Sequence, residues 1–146
     1  MIALLQRVAQ ASVVVGGEQL AAIGPGLLVL LGVQKNDGEA QAQRCVERIF
    51  GYRVFADEAG KMNRSLLDIR GELLLVPQFT LAADTRSGMR PGFSLAATPA
   101  EGVKWFDRVA ELSRQQSPQV QTGCFGADMK VALINDGPVT FWLETH

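Results

Sequence analysis

Residues 135–140 constrain this chain strongly, because they place a Gly-Pro pair between two apolar, strand-like runs. The runs are residues 131–134 before the pair and residues 141–143 after it. Glycine reaches backbone dihedral angles that are closed to other residues, while proline fixes φ and removes a hydrogen-bond donor. Gly137 and Pro138 therefore predict either a tight hairpin turn between two strands or a rigid piece of main chain presented to a ligand.

The rest of the chain predicts an α+β domain with a mainly antiparallel sheet and two helices. Apolar residues recur at helical spacing over residues 39–52, and Thr98-Pro99-Ala100-Glu101 is typical of the start of a helix that runs to about residue 116. Strands are expected at residues 2–9 continuing past a kink or bulge to 12–15, and at 19–23, 27–33, 54–56, 73–76, 119–123, 129–135 and 139–144. A length of 146 residues fits one domain spanning residues 1–146.

Composition excludes several classes of site. The single histidine is His146 at the end of the chain, so an internal Ser-His-Asp or Cys-His site has no histidine to use. The chain has neither paired CxxC motifs nor a Gly-rich nucleotide loop, and we expect no metal and no cofactor. A net charge of −1 gives no overall basic field, so any contact with nucleic acid is expected to be short and local.

The two cysteines and the first residues bear on the cellular compartment. Cys45 falls on the apolar face of the first predicted helix and Cys124 falls in a Gly-flanked turn, so they do not form a small disulfide framework. No apolar run approaches the roughly 18 residues of a membrane span. The first residues read as a strand without a secretion signal. These features predict reduced thiols and a cytoplasmic location.

A second polar segment lies at the end of the buried strand 73–76. Pro77 stops the strand, and Gln78 and Thr80 then offer an amide and a hydroxyl where a ligand could reach them. The irregular residues 82–98 follow, and loops of this length in compact domains are usually functional or mobile. Polar residues at a strand end are also common without any function, so this segment alone leaves both interpretations open.

Taken together, the short motifs resemble the D-aminoacyl-tRNA deacylases, also known as D-tyrosyl-tRNA deacylases. They occur in the order of that family along essentially the whole chain. The motifs are Gln6-Arg7-Val8, Gly60-Lys61-Met62-Asn63, Gln78-Phe79-Thr80-Leu81, Gly88-Met89-Arg90-Pro91 and Asn135-Asp136-Gly137-Pro138-Val139-Thr140.

The resemblance implies a homodimeric hydrolase with a barrel-like core. Members of the family hydrolyse the ester that joins a D-amino acid to the terminal adenosine of tRNA, and also glycyl-tRNA mischarged on tRNA-Ala. Gln78, Phe79 and Thr80 would form the catalytic wall where the ester sits. Arg7 would hold the Gly137-Pro138 loop. Apart from the resemblance, Met129 and Phe125 could flank the adenine or could pack in the core.

The resemblance also implies how chirality is checked. The Gly137-Pro138 bond would be cis, and this pair would project from one subunit into the pocket of the other. Its carbonyl groups would collide with the side chain of an L-amino acid and leave a D side chain free. D-substrates with different side chains would then be treated alike, and glycine would be cleaved at some level.

One departure from the family keeps an alternative open. The family usually has Ser where this chain has Pro77, and proline removes both a hydroxyl and a main-chain donor. The chain could therefore be a non-catalytic module that binds the 3′ end of tRNA. An editing domain acting on the products of one synthetase is a further alternative. Arg86 and Arg90 could meet phosphates of the tRNA 3′ end, or could simply be solvated.

Overall fold

The computed structural model describes residues 1–146 as a curved six-stranded sheet covered by helices on one side, with a separate sheet of two short strands. The strands are β1 (Ile2–Val15), β2 (Glu18–Ile23), β3 (Gly26–Gly32), β4 (Phe55–Ala56), β5 (Met62–Arg64), β6 (Glu72–Pro77), β7 (Val120–Thr122) and β8 (Lys130–Glu144). The helices are α1 (Glu39–Gly51), α2 (Leu66–Ile69) and α3 (Pro99–Gln116), and a short 3₁₀ turn spans Phe79–Ala82. No helix is both long and apolar enough to cross a membrane.

The predicted fold class is confirmed, with two additions besides the short strand β5, which was not predicted. The large sheet has the order β2-β1-β3-β6-β7, and β8 pairs with β1. The pairs of β1 with β2, β3 and β8 are antiparallel, but β3–β6 and β6–β7 are parallel because α1 and α3 lie in the crossovers between them. The second addition is the one-turn helix α2, which Ser65 and Asp68 cap reciprocally.

The sheet buries both of its faces. In β3, Leu27, Val29 and Leu31 point to the cluster that also holds the apolar sides of α1 and α3. Leu28 and Leu30 point to a second cluster inside the curve of the sheet. This division follows from the two-residue alternation of a strand, and it explains why the sequence of β3 is apolar at every position but its terminal glycines.

A side chain nearly closes the sheet into a barrel. The edge strands β2 and β7 are not paired, but the Gln121 amide spans the gap between them. Its Oε1 accepts from the Ala22 N–H at 2.9 Å, and its Nε2 donates to the Ala22 carbonyl at 2.7 Å. One side chain thereby satisfies both main-chain groups of an edge residue, as a neighbouring strand would.

The C-terminal strand differs from the predicted pair of strands 129–135 and 139–144. Both halves pair with β1 in the same antiparallel direction, so the chain does not reverse and the hairpin interpretation is wrong. Instead, Gln6 faces Thr140 and Val8 faces Asn135, which leaves residues 136–139 opposite Arg7 alone. We call these four residues the Gly-Pro bulge. A bulge locally disrupts the ladder and is often found next to functional sites.

Replacing Gln121 tests the closure of the barrel. Gln121→Ala removes two hydrogen bonds and leaves the main-chain groups of Ala22 without protein partners, so we expect unfolding in urea to show a loss of about 1–3 kcal/mol. Gln119→Ala is the matched control, because the side chain of Gln119 is exposed immediately before the same strand. Equal stability of the two variants would contradict closure by Gln121.

Candidate active site

The end of β6 carries a turn with two free main-chain donors. The Gln78 N–H still bonds to the Leu31 carbonyl of β3 at 2.8 Å, after which the chain enters the 3₁₀ turn. The hydrogen bonds of that turn begin with the Leu81 N–H, which donates to the Gln78 carbonyl. The first N–H groups of a helical turn have no acceptor within it. The N–H groups of Phe79 and Thr80 are therefore available to a ligand.

The Thr80 hydroxyl is oriented by an amide. Gln78 Nε2 donates to Thr80 Oγ1, so a neutral amide and not a base is the partner of this hydroxyl. No three His, Cys, Asp or Glu side chains cluster as a bound metal ion would require. The arrangement can donate hydrogen bonds to a ligand, but it offers no group that would take a proton from Thr80.

An apolar cavity of about 490 Å³ opens beside this turn. Its walls include residues of β3, the 3₁₀ turn, the first turn of α3 and the β7–β8 turn: Leu31, Val33, Pro77, Phe79, Phe93, Ala96, Ala97, Thr98, Pro99, Gly102, Phe106, Phe125 and Gly126. The rings of Phe79 and Phe93 pack with their centres 5.2 Å apart, although Phe79 is 56% exposed. A cavity of this size and lining can hold a small, flat group that buries apolar surface.

The Gly-Pro bulge is held from both ends. Arg7 Nε donates to the Asp136 carbonyl at 2.9 Å, and Arg7 Nη1 donates to the Val54 carbonyl at 2.8 Å. Asn135 Oδ1 accepts from the Val139 N–H at 2.7 Å. Asn135 Nδ2 donates to Thr140 Oγ1 at 2.8 Å. These bonds fix the main chain on either side of Gly137 and Pro138.

Gly137 has no room for a side chain. Its φ of +139° is in a region that other residues rarely adopt. A Cβ atom here would lie 2.6 Å from Val139 Cγ2 and 3.0 Å from Arg7 Nη2. The Gly137-Pro138 bond is cis, as the resemblance implies, and both residues are exposed in the single chain.

Within one chain, the structure keeps the turn at residues 78–80 apart from the Gly-Pro bulge. Gln78 bonds to Leu31, which faces Ala3 in β1, whereas the bulge lies opposite Arg7. Along the curved sheet the separation is about 13 Å in the strand direction and about 14 Å across three strand spacings. Accordingly, no residue of the bulge lines the cavity. Of the predicted catalytic residues, Phe79 lines the cavity and its chain neighbours Gln78 and Thr80 do not, while the predicted chirality residues lie elsewhere.

Pro77 and Met129 contact the turn that carries Phe125. The register of β6 with β7 would have residue 77 donate to the Gly123 carbonyl, and proline has no hydrogen for this bond. A Cβ atom on Gly123 would lie 3.4 Å from Pro77 Cδ and 2.9 Å from Met129 Sδ. Met129 Sδ also accepts from the Cys124 N–H at 3.4 Å. Met129 does not line the cavity and, in the single chain, supports the turn behind it.

The irregular segment after the 3₁₀ turn forms a closed loop. Asp84 and Gly92 exchange two main-chain hydrogen bonds of 2.7 and 3.0 Å, and we call residues 84–92 the rim loop. Arg86 Nε and Nη2 donate to the Asp84 carboxylate at 2.8 and 2.7 Å. These bonds lower the pKa of Asp84 to about 2, so the pair stays ionised at neutral pH.

Two parts of the site were not predicted as site residues. Asn135 secures the far side of the bulge, and the Val54 carbonyl anchors Arg7 from before β4. Asn next to Asp-Gly-Pro is a signal in the sequence, because its side chain often bonds to nearby main chain. The Val54 carbonyl leaves no such signal, because any residue type supplies the same atom.

Comparisons with known proteins agree with the fold and the motifs. The family model described as D-Tyr-tRNA(Tyr) deacylase matches residues 4–144. A protein of Thioalkalivibrio sulfidiphilus named D-aminoacyl-tRNA deacylase is 63% identical over 144 residues, which cover 99% of this chain and 97% of the relative. A protein of Pseudomonas aeruginosa with the same name is 60% identical over 145 residues, covering 99% of this chain and all of the relative.

Solved structures add to this comparison. A protein described as c-Myc DNA unwinding element binding protein superimposes with a TM-score of 0.96 at 41% identity, covering 100% of this chain and 99% of the other. A probable eukaryotic D-amino acid tRNA deacylase shares the fold, with a TM-score of 0.81 at 16% identity over 97% of each chain. Because the family model and these relatives span nearly its full length, the chain belongs to the D-Tyr-tRNA(Tyr) deacylase family.

Proposed function

We propose that this enzyme hydrolyses the ester of D-aminoacyl-tRNA, releasing the D-amino acid and free tRNA in the cytoplasm. The observation that carries the proposal is the pair of free N–H donors on Phe79, which lines the apolar cavity, and on Thr80, the next residue. The cavity takes the terminal adenosine, and the donors face the ester that is attached to its ribose. Family membership supports this choice of substrate.

Catalysis rests on the donors and on the substrate itself. An aminoacyl ester is already activated, so donors aimed at the developing oxyanion supply much of the help that hydrolysis needs. The Gln78 amide donates to the Thr80 hydroxyl and so helps to hold the turn in the conformation that presents these donors. The free hydroxyl of the terminal ribose activates the water, because no side-chain base contacts this turn. Thr80 does not act as the nucleophile, since nucleophilic hydroxyl groups need an adjacent base.

A second copy of the chain completes the site. The Gly-Pro bulge is too far from its own cavity to contact the ester there, so in a homodimer it enters the cavity of the partner. Two features of β8 support such pairing. The side chains of Trp142 and Ile134 are 50% and 52% exposed, and β8 pairs with β1 alone, so that its other edge is unpaired. A long unpaired edge and exposed large apolar side chains are normally covered in the working assembly.

The bulge acts as a chirality gate. Its main chain, fixed by Arg7 and Asn135, meets the α-carbon of the aminoacyl group where an L side chain would point. L-aminoacyl-tRNA is excluded by collision, whereas a D side chain points away from the gate. Glycine has no side chain to exclude, so glycyl-tRNA mischarged on tRNA-Ala is also a substrate. Met129 holds the β7–β8 turn so that Phe125 packs on the adenine.

Turnover separates this proposal from a non-catalytic module that only binds the tRNA 3′ end. The departure at Pro77 favours that alternative, because it removes a hydroxyl and a donor next to the catalytic turn. Multiple turnovers of a D-aminoacyl-tRNA, with much slower cleavage of its L counterpart, support the enzyme. Tight binding of both without cleavage would establish the module.

A substrate without the ribose 2′-hydroxyl tests the proposed activation of water. A D-aminoacyl-tRNA that ends in 2′-deoxyadenosine should be cleaved at least about 100-fold more slowly, because the group that activates water is lost. Thr80→Ala should keep most of the activity on the normal substrate, measured as single-turnover rates. Loss of all activity in a folded Thr80→Ala protein, together with normal cleavage of the deoxy substrate, would instead establish Thr80 as the nucleophile.

Replacement of Gly137 tests the chirality gate. Gly137→Ala forces Val139 and Arg7 apart, so the D-over-L ratio of kcat/KM should fall by roughly tenfold or more, since a small misplacement of a positioned group is costly. Gly51→Ala is the matched control, because a Cβ atom at the end of α1 meets nothing within 4 Å. A Gly137→Ala enzyme with unchanged D-over-L discrimination would remove the bulge from the selection of chirality.

A further inference from the structure

Three basic side chains lie on two segments connected to residues 93–97, which contribute to the cavity wall, and the proposed chemistry uses none of them. They are Lys35, Arg86 and Arg90, all exposed. The Lys35 N–H donates to the Leu95 carbonyl at 3.0 Å, next to the cavity-lining Ala96. Arg86 and Arg90 belong to the rim loop, whose closing residue Gly92 precedes the cavity-lining Phe93. We call these three side chains the basic rim.

Arg86 is prepared to bind an anion. Its two bonds to Asp84 and the bond from its own N–H to the same carboxylate fix the side chain, which is nevertheless 82% exposed. The Asp84 carboxylate occupies the Nε and Nη2 edge of the guanidinium. The Nη1 donors remain free, and a planar guanidinium whose position is already fixed loses little entropy when it binds a phosphate.

The carboxylates near the rim are already matched. Asp37 pairs with the Met1 ammonium at 2.9 Å, and Glu39 pairs with Arg108 at 2.7 Å. Asp84 balances Arg86, so Lys35 and Arg90 give the rim an excess of two positive charges. Glu101 is an acidic residue in the first turn of α3, beyond Thr98 and Pro99, so the basic surface does not extend past it. This local excess contrasts with the net charge of −1 of the whole chain.

We propose that the basic rim binds backbone phosphates of the single-stranded 3′ end of tRNA. The inference rests on the proposed function. When the terminal adenosine fills the cavity, the phosphodiester group that joins it to the preceding nucleotide lies at the edge of the cavity that carries the basic rim. Arg86 is a fixed donor for one phosphate, and Lys35 and Arg90 act as point charges for neighbouring ones. The rim contributes to affinity for any tRNA and does not read its sequence.

The test compares substrates with and without phosphates. Lys35→Gln, Arg90→Gln and the double variant are assayed on D-aminoacyl-tRNA and on D-aminoacyl-adenosine, over a range of salt concentrations. Each single variant should lower kcat/KM for the tRNA roughly five- to tenfold relative to the adenosine ester at low salt. The slope of log kcat/KM against log salt should become shallower by about 0.7 for each cation removed. Arg44→Gln, at an exposed ion pair on α1, is the matched control.

Three outcomes would overturn the proposed binding of tRNA phosphates by the basic rim. They are equal losses on the two substrates, unchanged salt slopes, and an altered oligomeric mass in sedimentation, which would place these residues in a protein contact. Binding of deacylated tRNA, measured by fluorescence anisotropy with the same variants, keeps the test separate from catalysis. If the wild-type protein cleaves neither substrate, the proposed function fails, while the salt slope of tRNA binding still tests the rim.

Discussion

The hydrogen bonds of Arg7 are the interaction on which the rest of the site depends. Arg7 is the single residue of β1 that faces the four residues of the Gly-Pro bulge, and its guanidinium bridges the carbonyl groups of Asp136 and Val54. The side chain is only 17% exposed; its bond to Val54 is partly buried, and its bond to Asp136 lies at the surface. A bulge this large would otherwise be a loose excursion from the strand. Arg7 and Asn135 make it a fixed main-chain surface.

The other half of the proposed site achieves its chemistry with main-chain groups as well. The parallel β3–β6 pair carries Gln78 to the edge of the sheet, and the helical turn that follows leaves two N–H groups free. Such donors need no titratable side chain, which agrees with a chain whose single histidine is its last residue. Both the catalytic donors and the chirality gate are therefore specified by backbone geometry, and side chains act mainly to hold that geometry.

Much of this could be predicted from the sequence. Helical spacing located α1 and α3, and the apolar run of β3 predicted a strand buried on both faces. The continuity of β8 was missed, since a Gly-Pro pair predicts a turn locally and only the pairing of both flanks with β1 shows a bulge. The separation of the two motifs within one chain was expected only through the family resemblance, because in physical terms it depends on strand order and register, which the residue pattern does not reveal.

The central claim is that each working site combines the turn of one chain with the bulge of another, and mixed dimers test it most directly. A Phe79→Pro chain lacks one of the two main-chain N–H donors of the turn, and a Gly137→Ala chain has a displaced Gly-Pro bulge. Dimers that contain one of each, purified with two tags, should have about half of the wild-type activity on D-aminoacyl-tRNA together with the wild-type D-over-L ratio of kcat/KM, because one of two symmetric sites is fully intact and the other lacks a catalytic donor. Mixed dimers with the low D-over-L ratio of the Gly137→Ala parent would contradict the claim, because the active site would then combine a turn and a bulge of the same chain.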